Sequence, residues 1–268
     1  MGELGTKLGL DELAGGAASI SKALLAEFIG NLLLNLFGCG ACINITQGST
    51  AAPDIVLISL AFGLAVFAAV SAIGHVSGGH INPAVTAGMA ATGRVKPVRA
   101  VLYVIAQCAG AAAGSGLLKA FTPDRAAGSL GVTGPGTDVT LPQAFGIEFF
   151  LGFVLVFVVC GVCDPNKPDS KATAPLAIGL TVTLGHLLAV DYTGSAMNPA
   201  RSFGSALVAN IWDSHWVYWV GPVCGGVAAA LLYVHGFSAP AQETPRYKPV
   251  AGDEKELKRL DGKTEDLA

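Results

Sequence analysis

Two Asn-Pro-Ala triplets, Asn82-Pro83-Ala84 and Asn198-Pro199-Ala200, set a side-chain amide at a helix start in two places along one chain. Asn is a favoured N-cap and Pro a favoured first helical residue, so each triplet opens a short helix. A helix N-terminus carries roughly +0.5 elementary charge, and an Asn amide adds N–H donors beside it. Such a pair holds electron-rich oxygen and opposes cations. Arg201 stands three residues beyond Asn198 and adds a fixed positive charge. Glu27 and Glu148 offer carboxylates that can accept hydrogen bonds from loop N–H groups and hold those loops in place. A proton relay through them lacks a visible chain of Asp, Glu and His partners. His80, just before the first triplet, reads as a loop brace.

The elements that must carry these residues are apolar. Of 268 residues, 52% are hydrophobic and 13% charged, with mean hydropathy +0.57. Soluble domains carry about 25% charged residues. The 35 glycines among long apolar runs suit packed membrane helices. Six segments reach the roughly 20 apolar residues that a span requires: about 22–43, 54–74, 97–119, 142–162, 173–190 and 216–235. The triplet segments, 82–91 and 198–209, are too short to cross. No basic face points to nucleic acid. The six cysteines lie in or beside apolar runs, and the two Cys-x-x-Cys pairs lack an accompanying His, so they read as packing residues and not as a metal or redox site.

The chain repeats itself. Glu27-Phe28, Cys39-Gly40 and Cys42 match Glu148-Phe149, Cys160-Gly161 and Cys163 at one offset. Gly63-Leu64, Gly78, the first triplet and Gly88 match Gly179-Leu180, Gly194, the second triplet and Gly204 at another. Each repeat, about 22–119 and 142–237, holds three spans, so the second lies inverted relative to the first. Inverted repeats place their site at the midplane, where the two short helices enter from opposite faces and meet. With both termini cytoplasmic, 13 basic residues fall on that side against Lys119, Arg125 and Arg201 on the other, which follows the positive-inside bias. The same orientation puts the sequon at Asn44 outside. Residues 1–21 and 238–268 read as cytoplasmic, partly disordered segments, in which Ser238, Thr244 and Thr264 (with Ser170 in a loop) read as solvated polar residues.

Irregular backbone at membrane depth is tolerated only when it is buried in protein or lines a wet cavity. Carbonyls before each triplet, two central amides and an apolar opposite wall suit a single file of water. At about 1.5 Å rise per residue, Arg201 stands about 4.5 Å outward of Asn198, at the depth expected for Phe62 and His186. An intramembrane Arg is a functional residue by default.

Ser77-Gly-Gly-His-Ile-Asn-Pro-Ala-Val-Thr86 and Gly194-Ser-Ala-Met-Asn-Pro-Ala-Arg-Ser-Phe-Gly204 resemble the two signature loops of the aquaporin (major intrinsic protein) family. The resemblance runs from about residue 22 to 237 and implies an all-helical membrane channel of six spans and two re-entrant half-helices. It implies passive water flow with no enzymatic step and no cofactor, homotetramers with a pore in each protomer, and residence in the plasma membrane. It also implies an outer constriction of Phe62, His186, Ser195 and Arg201. His186, with Ser202, Ala206, Tyr218 and Trp219, is similar to the water-selective branch rather than to glycerol facilitators. Many animal members carry at the position of Ser195 the Cys that confers mercury sensitivity; this chain does not. Retention of the fold by a non-conducting junction protein is the reading from another class.

Overall fold

The computed structural model describes residues 3–10, 12, 17–46, 48 and 52–241; the tail from 242, with Thr244 and Thr264, lies outside the described residues. Those described are helices and loops, with no strand among them. A short helix α1 (Glu3–Leu8) precedes α2 (Ala17–Leu33), which continues as a π-helical turn, Leu34–Cys39. Then come α3 (Ile55–Ser77), the half-helix α4 (Pro83–Ala91), α5 (Pro97–Phe121) and a single turn α6 (Asp124–Ala127). The second repeat supplies α7 (Leu141–Val162), α8 (Ala174–Thr193), the half-helix α9 (Pro199–Ala209) and α10 (Val217–Gly236). A 3₁₀ turn, Pro168–Thr173, leads into α8.

Among the described residues, six helices are long and apolar enough to cross a membrane: α2 with its π-turn, α3, α5, α7, α8 with the preceding 3₁₀ turn, and α10. Their ends differ from the sequence expectation by a few residues. The first span begins earlier and stops at Cys39, and the fifth reaches Thr193 because Gly194 adopts the left-handed conformation that ends it. Parts of the expected irregular N-terminal segment are ordered: Glu12 pairs with Arg99, Nε to Oε2 at 2.5 Å. Leu60, Leu64, Ile105, Phe150, Leu184 and Leu188 point outward and are exposed. In water such a surface would drive association, whereas hydrocarbon matches it.

Packing follows the repeat. α2 lies on α5, α7 on α10, and α3 crosses α8. At the first two contacts glycines remove the side chain that would keep the backbones apart. A Cβ on Gly110 or Gly114 would run into the backbone of Phe28 or Leu32, and one on Gly225 into the Phe149 carbonyl. At the third, a Cβ on Gly63 or on Gly179 would stand 2.6 Å from the other residue's carbonyl oxygen. The repeats therefore meet across a close α3–α8 crossing, and the half-helices pack into the spaces on either side.

Candidate functional site

A cavity of about 660 Å³ threads the helices. Its wall on α3 runs from Phe62 through Val66, Val70 and Gly74 to His75, and on α8 from His186 back through Val182 and Ile178 to Ala174. Phe62 and His186 stack with ring centroids 4.3 Å apart, so the two walls run antiparallel from one shared end. From Phe62 to His75 the wall covers about 20 Å of helix. Arg94, Cys163 and Lys171 line the end opposite that stack, and Asn82 and Asn198 lie along the cavity between.

The apolar faces of α3 and α8 form one side, and the two loops before the half-helices form the other. Gly78, Gly79, His80, Ile81, Ala196 and Met197 all line it. Their backbone is unusual in the same way twice. Gly78, Gly79 and Ile81 have φ of 91°, 63° and 41°, while Gly194, Ser195 and Met197 have 75°, 48° and 54°. For a β-branched residue such as Ile81 this is a costly conformation, and it needs support.

Two carboxylates give that support. Glu27 Oε1 accepts from Ser77 Oγ at 2.6 Å and the His80 N–H at 2.9 Å, and its Oε2 accepts from the Ile81 N–H at 2.6 Å and Gln107 Nε2 at 2.8 Å. In the other repeat Glu148 Oε1 accepts from Thr193 Oγ1 at 2.6 Å and the Ala196 N–H at 2.9 Å, and its Oε2 from the Met197 N–H at 3.0 Å. Both carboxylates are fully buried. Each holds two consecutive backbone N–H groups of its loop. His80 pairs through Nδ1 with Thr86 Oγ1 at 3.1 Å and also lines the cavity wall.

The two Asn residues cap the half-helices. Asn82 Oδ1 accepts from the Ala84 N–H at 2.8 Å, and Asn198 Oδ1 from the Ala200 and Arg201 N–H groups at 3.0 and 3.2 Å. Capping by the oxygen fixes each amide's direction, so the NH₂ group points away from its own helix.

At the far end, Arg201 Nη1 donates to the Gly131 carbonyl at 2.6 Å, and its guanidinium carbon stands 4.8 Å from the Phe62 ring centroid. Its Nε is buried without a protein partner. The His186 Nδ1–H donates to the Val182 carbonyl at 2.9 Å. In the neutral ring this makes Nε2 the acceptor, and Nε2 is also buried without a protein partner. Phe62, His186 and Arg201 therefore combine one apolar face, one acceptor and one cationic donor around the same end.

Ser195 is wholly buried with an unpartnered Oγ, but it does not line this cavity. Asn44 is half-buried and lines a separate cavity of about 420 Å³ beside residues 126–131. The six cysteines are free, and two depart from the packing expectation: Cys224 is exposed on α10, and Cys163 is exposed and lines the channel-like cavity at its Arg94–Lys171 end. Cys163 follows the last residue of α7, at the open end of that helix.

Sequence reasoning missed Asn35, Thr193, Ser77 and Gln107, all of which hold site residues. Asn31 and Asn35 did carry a signal. Both are polar residues one turn apart in a span, which is costly unless they have a task.

Residues 16–233 match the family model described as Major intrinsic protein. The chain is 44% identical to Aquaporin-4 of Mus musculus over 228 residues, covering 85% of this chain and 71% of that protein. To Aquaporin-2 of Bos taurus it is 44% identical over 224 residues, covering 84% and 82%. Among solved structures, the aquaglyceroporin from Plasmodium falciparum superimposes with a TM-score of 0.69 at 25% identity, covering 80% of this chain and 95% of that one.

Proposed function

The chain belongs to the major intrinsic protein (aquaporin) family, and from that membership and the geometry of its cavity we propose that it conducts water passively and selectively across a membrane. It is an integral membrane channel, and water is its permeant. One observation carries the selectivity: Phe62, His186 and Arg201 converge on one end of the cavity, where Phe62 touches both other groups. Water can accept from the guanidinium and donate to the imidazole in one small space. Glycerol would need room for three carbons where an aromatic ring and an imidazole already stand.

Asn82 and Asn198 act at the middle of the file. Each amide donates one N–H to protein, and the second is free for a passing oxygen. A water held by two such donors turns its hydrogens outward toward both mouths. That arrangement breaks a proton wire, and the two half-helix N-termini add positive potential against cations.

The remaining expectations complete the reading. Both termini face the cytoplasm, Asn44 faces outside, the plasma membrane is the location, and four protomers associate with a pore in each. Ser195 belongs with Phe62, His186 and Arg201 at the outer constriction. Stopped-flow light scattering of proteoliposomes after an osmotic step tests the function. Fast shrinkage in an impermeant solute with no fast reswelling in glycerol is the expected result. Equal rates for glycerol and water would favour the solute-facilitator reading, and no rise over empty liposomes would favour a non-conducting junction protein.

A further inference from the structure

The π-helical turn Leu34–Cys39 in the first span touches the constriction at three places. The Asn35 side chain donates through Nδ2 to the Arg201 carbonyl at 3.0 Å and to Ser115 Oγ at 2.9 Å. Gly38 faces the Phe62 ring, and a Cβ there would stand 2.5 Å from both Cδ1 and Cε1. Cys39 packs on Gly131, where a Cβ would stand 3.0 Å from Cys39 Cβ, and Gly131 holds the guanidinium of Arg201. Asn35 and Cys39 are fully buried.

Asn35, Gly38 and Cys39 stand at i, i+3 and i+4, so one face of this segment meets the constriction at all three places. The extra residue in a π-turn widens the helix and rotates the residues that follow, and such turns recur at functional sites. We propose that this turn is the positioning element of the outer constriction. In that role Asn35 sets the backbone of Arg201, and Gly38 sets how far the Phe62 ring stands out into the pore. The inference rests on the water-channel reading above. It adds residues that do not touch the permeant and act through Arg201 and Phe62.

Besides its backbone place within α9, the Arg201 carbonyl accepts from two side chains. One donor is Asn35 Nδ2, and the other is Ser205 Oγ at a longer 3.3 Å. Ser205 lies on the same half-helix and moves with Arg201. Asn35 lies on another element and is the contact that ties α9 to the first span. Phe62 is confined in a similar way, with Gly38 behind it and His186 and Arg201 in front. A methyl group added at Gly38 therefore drives the ring toward the pore.

Reconstituted wild type, Gly38→Ala, Gly38→Ala with Phe62→Ala, and Asn35→Leu test the proposal, with water, glycerol and proton fluxes measured on each. Overpacking at a tight contact displaces neighbours, so Gly38→Ala should lower water flux about fivefold, and adding Phe62→Ala should restore it. Asn35→Leu should raise the glycerol-to-water flux ratio about fivefold, since loosening a positioned group by a fraction of an ångström degrades discrimination. A merely structural Asn35 would lower thermal stability and leave that ratio unmoved. Folded Gly38→Ala and Asn35→Leu channels with wild-type flux and wild-type ratio overturn the inference while leaving the function intact. A wild-type protein that carries no water, or carries glycerol equally, overturns both. If Asn35→Leu does not assemble, the Gly38 and Phe62 pair still distinguishes the outcomes: loss of flux with rescue supports the positioning role, and unchanged flux overturns it.

Discussion

Asn82 and Asn198 are each tied to the other's loop. Asn82 Nδ2 donates to the Met197 carbonyl at 3.0 Å, and Asn198 Nδ2 donates to the Ile81 carbonyl at 2.7 Å. Each carbonyl belongs to the residue immediately before the partner Asn, and both of those residues have positive φ. The midplane is therefore a reciprocal clasp between the repeats, not two helix ends that happen to meet.

The carboxylates behind the clasp are open to a direct test. Glu148→Gln keeps size and shape but replaces an acceptor with an NH₂ group. Three donors converge on the two Glu148 oxygens, so at least one N–H or O–H then faces another donor. A buried donor left unpaired costs about 1–3 kcal/mol. The thermal transition in detergent should fall and water flux should fall with it. Unchanged values for both would show that the loop holds its shape without Glu148.

Widening the constriction should change what passes. His186→Gly with Phe62→Ala removes both members of the stack, whose centroids are 4.3 Å apart, and leaves Arg201 in place. Proteoliposomes carrying the double variant should reswell in glycerol and in urea. Continued rejection of both solutes would place the selective step elsewhere along the cavity.

Arg201→Val addresses charge without touching the Asn clasp. The half-helix dipoles remain, and the fixed cation at the far end is lost. The variant should still carry water and should leak protons or small cations, as read with a pH dye inside the vesicles. A tight variant would assign ion exclusion to the midplane alone.

Cys163 should make the channel open to mercurials even though Ser195 offers them no thiol. Its own thiol is exposed in the cavity mouth beside Arg94 and Lys171. A membrane-impermeant mercurial supplied on that side should slow water flux, with recovery in excess thiol, and Cys163→Ser should be insensitive. Inhibition that survives Cys163→Ser would implicate another of the six cysteines. Ser195→Cys in the Cys163→Ser background then asks whether the outer approach can be blocked from the opposite side.

The fold is readable in the chain because its signals are long-range and redundant. Six apolar stretches of spanning length, the matched Glu27 and Glu148 segments and two identical triplets all point to one architecture. Counting helical rise puts Phe62, His186 and Arg201 at one depth, and the structure brings them into contact. The supports are not readable, because nothing in the spacing of Asn35, Ser77, Gln107 or Gly131 shows that they meet residues far along the chain. Asn35 and Arg201 are 166 positions apart, and the π-turn that joins them leaves no mark in hydropathy. Cys163 differs from its expectation for a local reason: its apolar neighbours suggest packing, yet it stands at the open end of its helix.

The clasp also constrains how a pore can come into being. Asn82 enters the membrane with the first half of the chain, but its acceptor, the Met197 carbonyl, lies 115 residues later. Until that residue has been synthesised and inserted, the first loop has its own carboxylate, Glu27, but neither hydrogen bond of the clasp. A chain that ends after the third span therefore carries only part of the cavity lining, since α8 and the second loop supply the rest. Conduction through this cavity therefore waits for the second loop to close on the first, which couples assembly of the pore to completion of the chain.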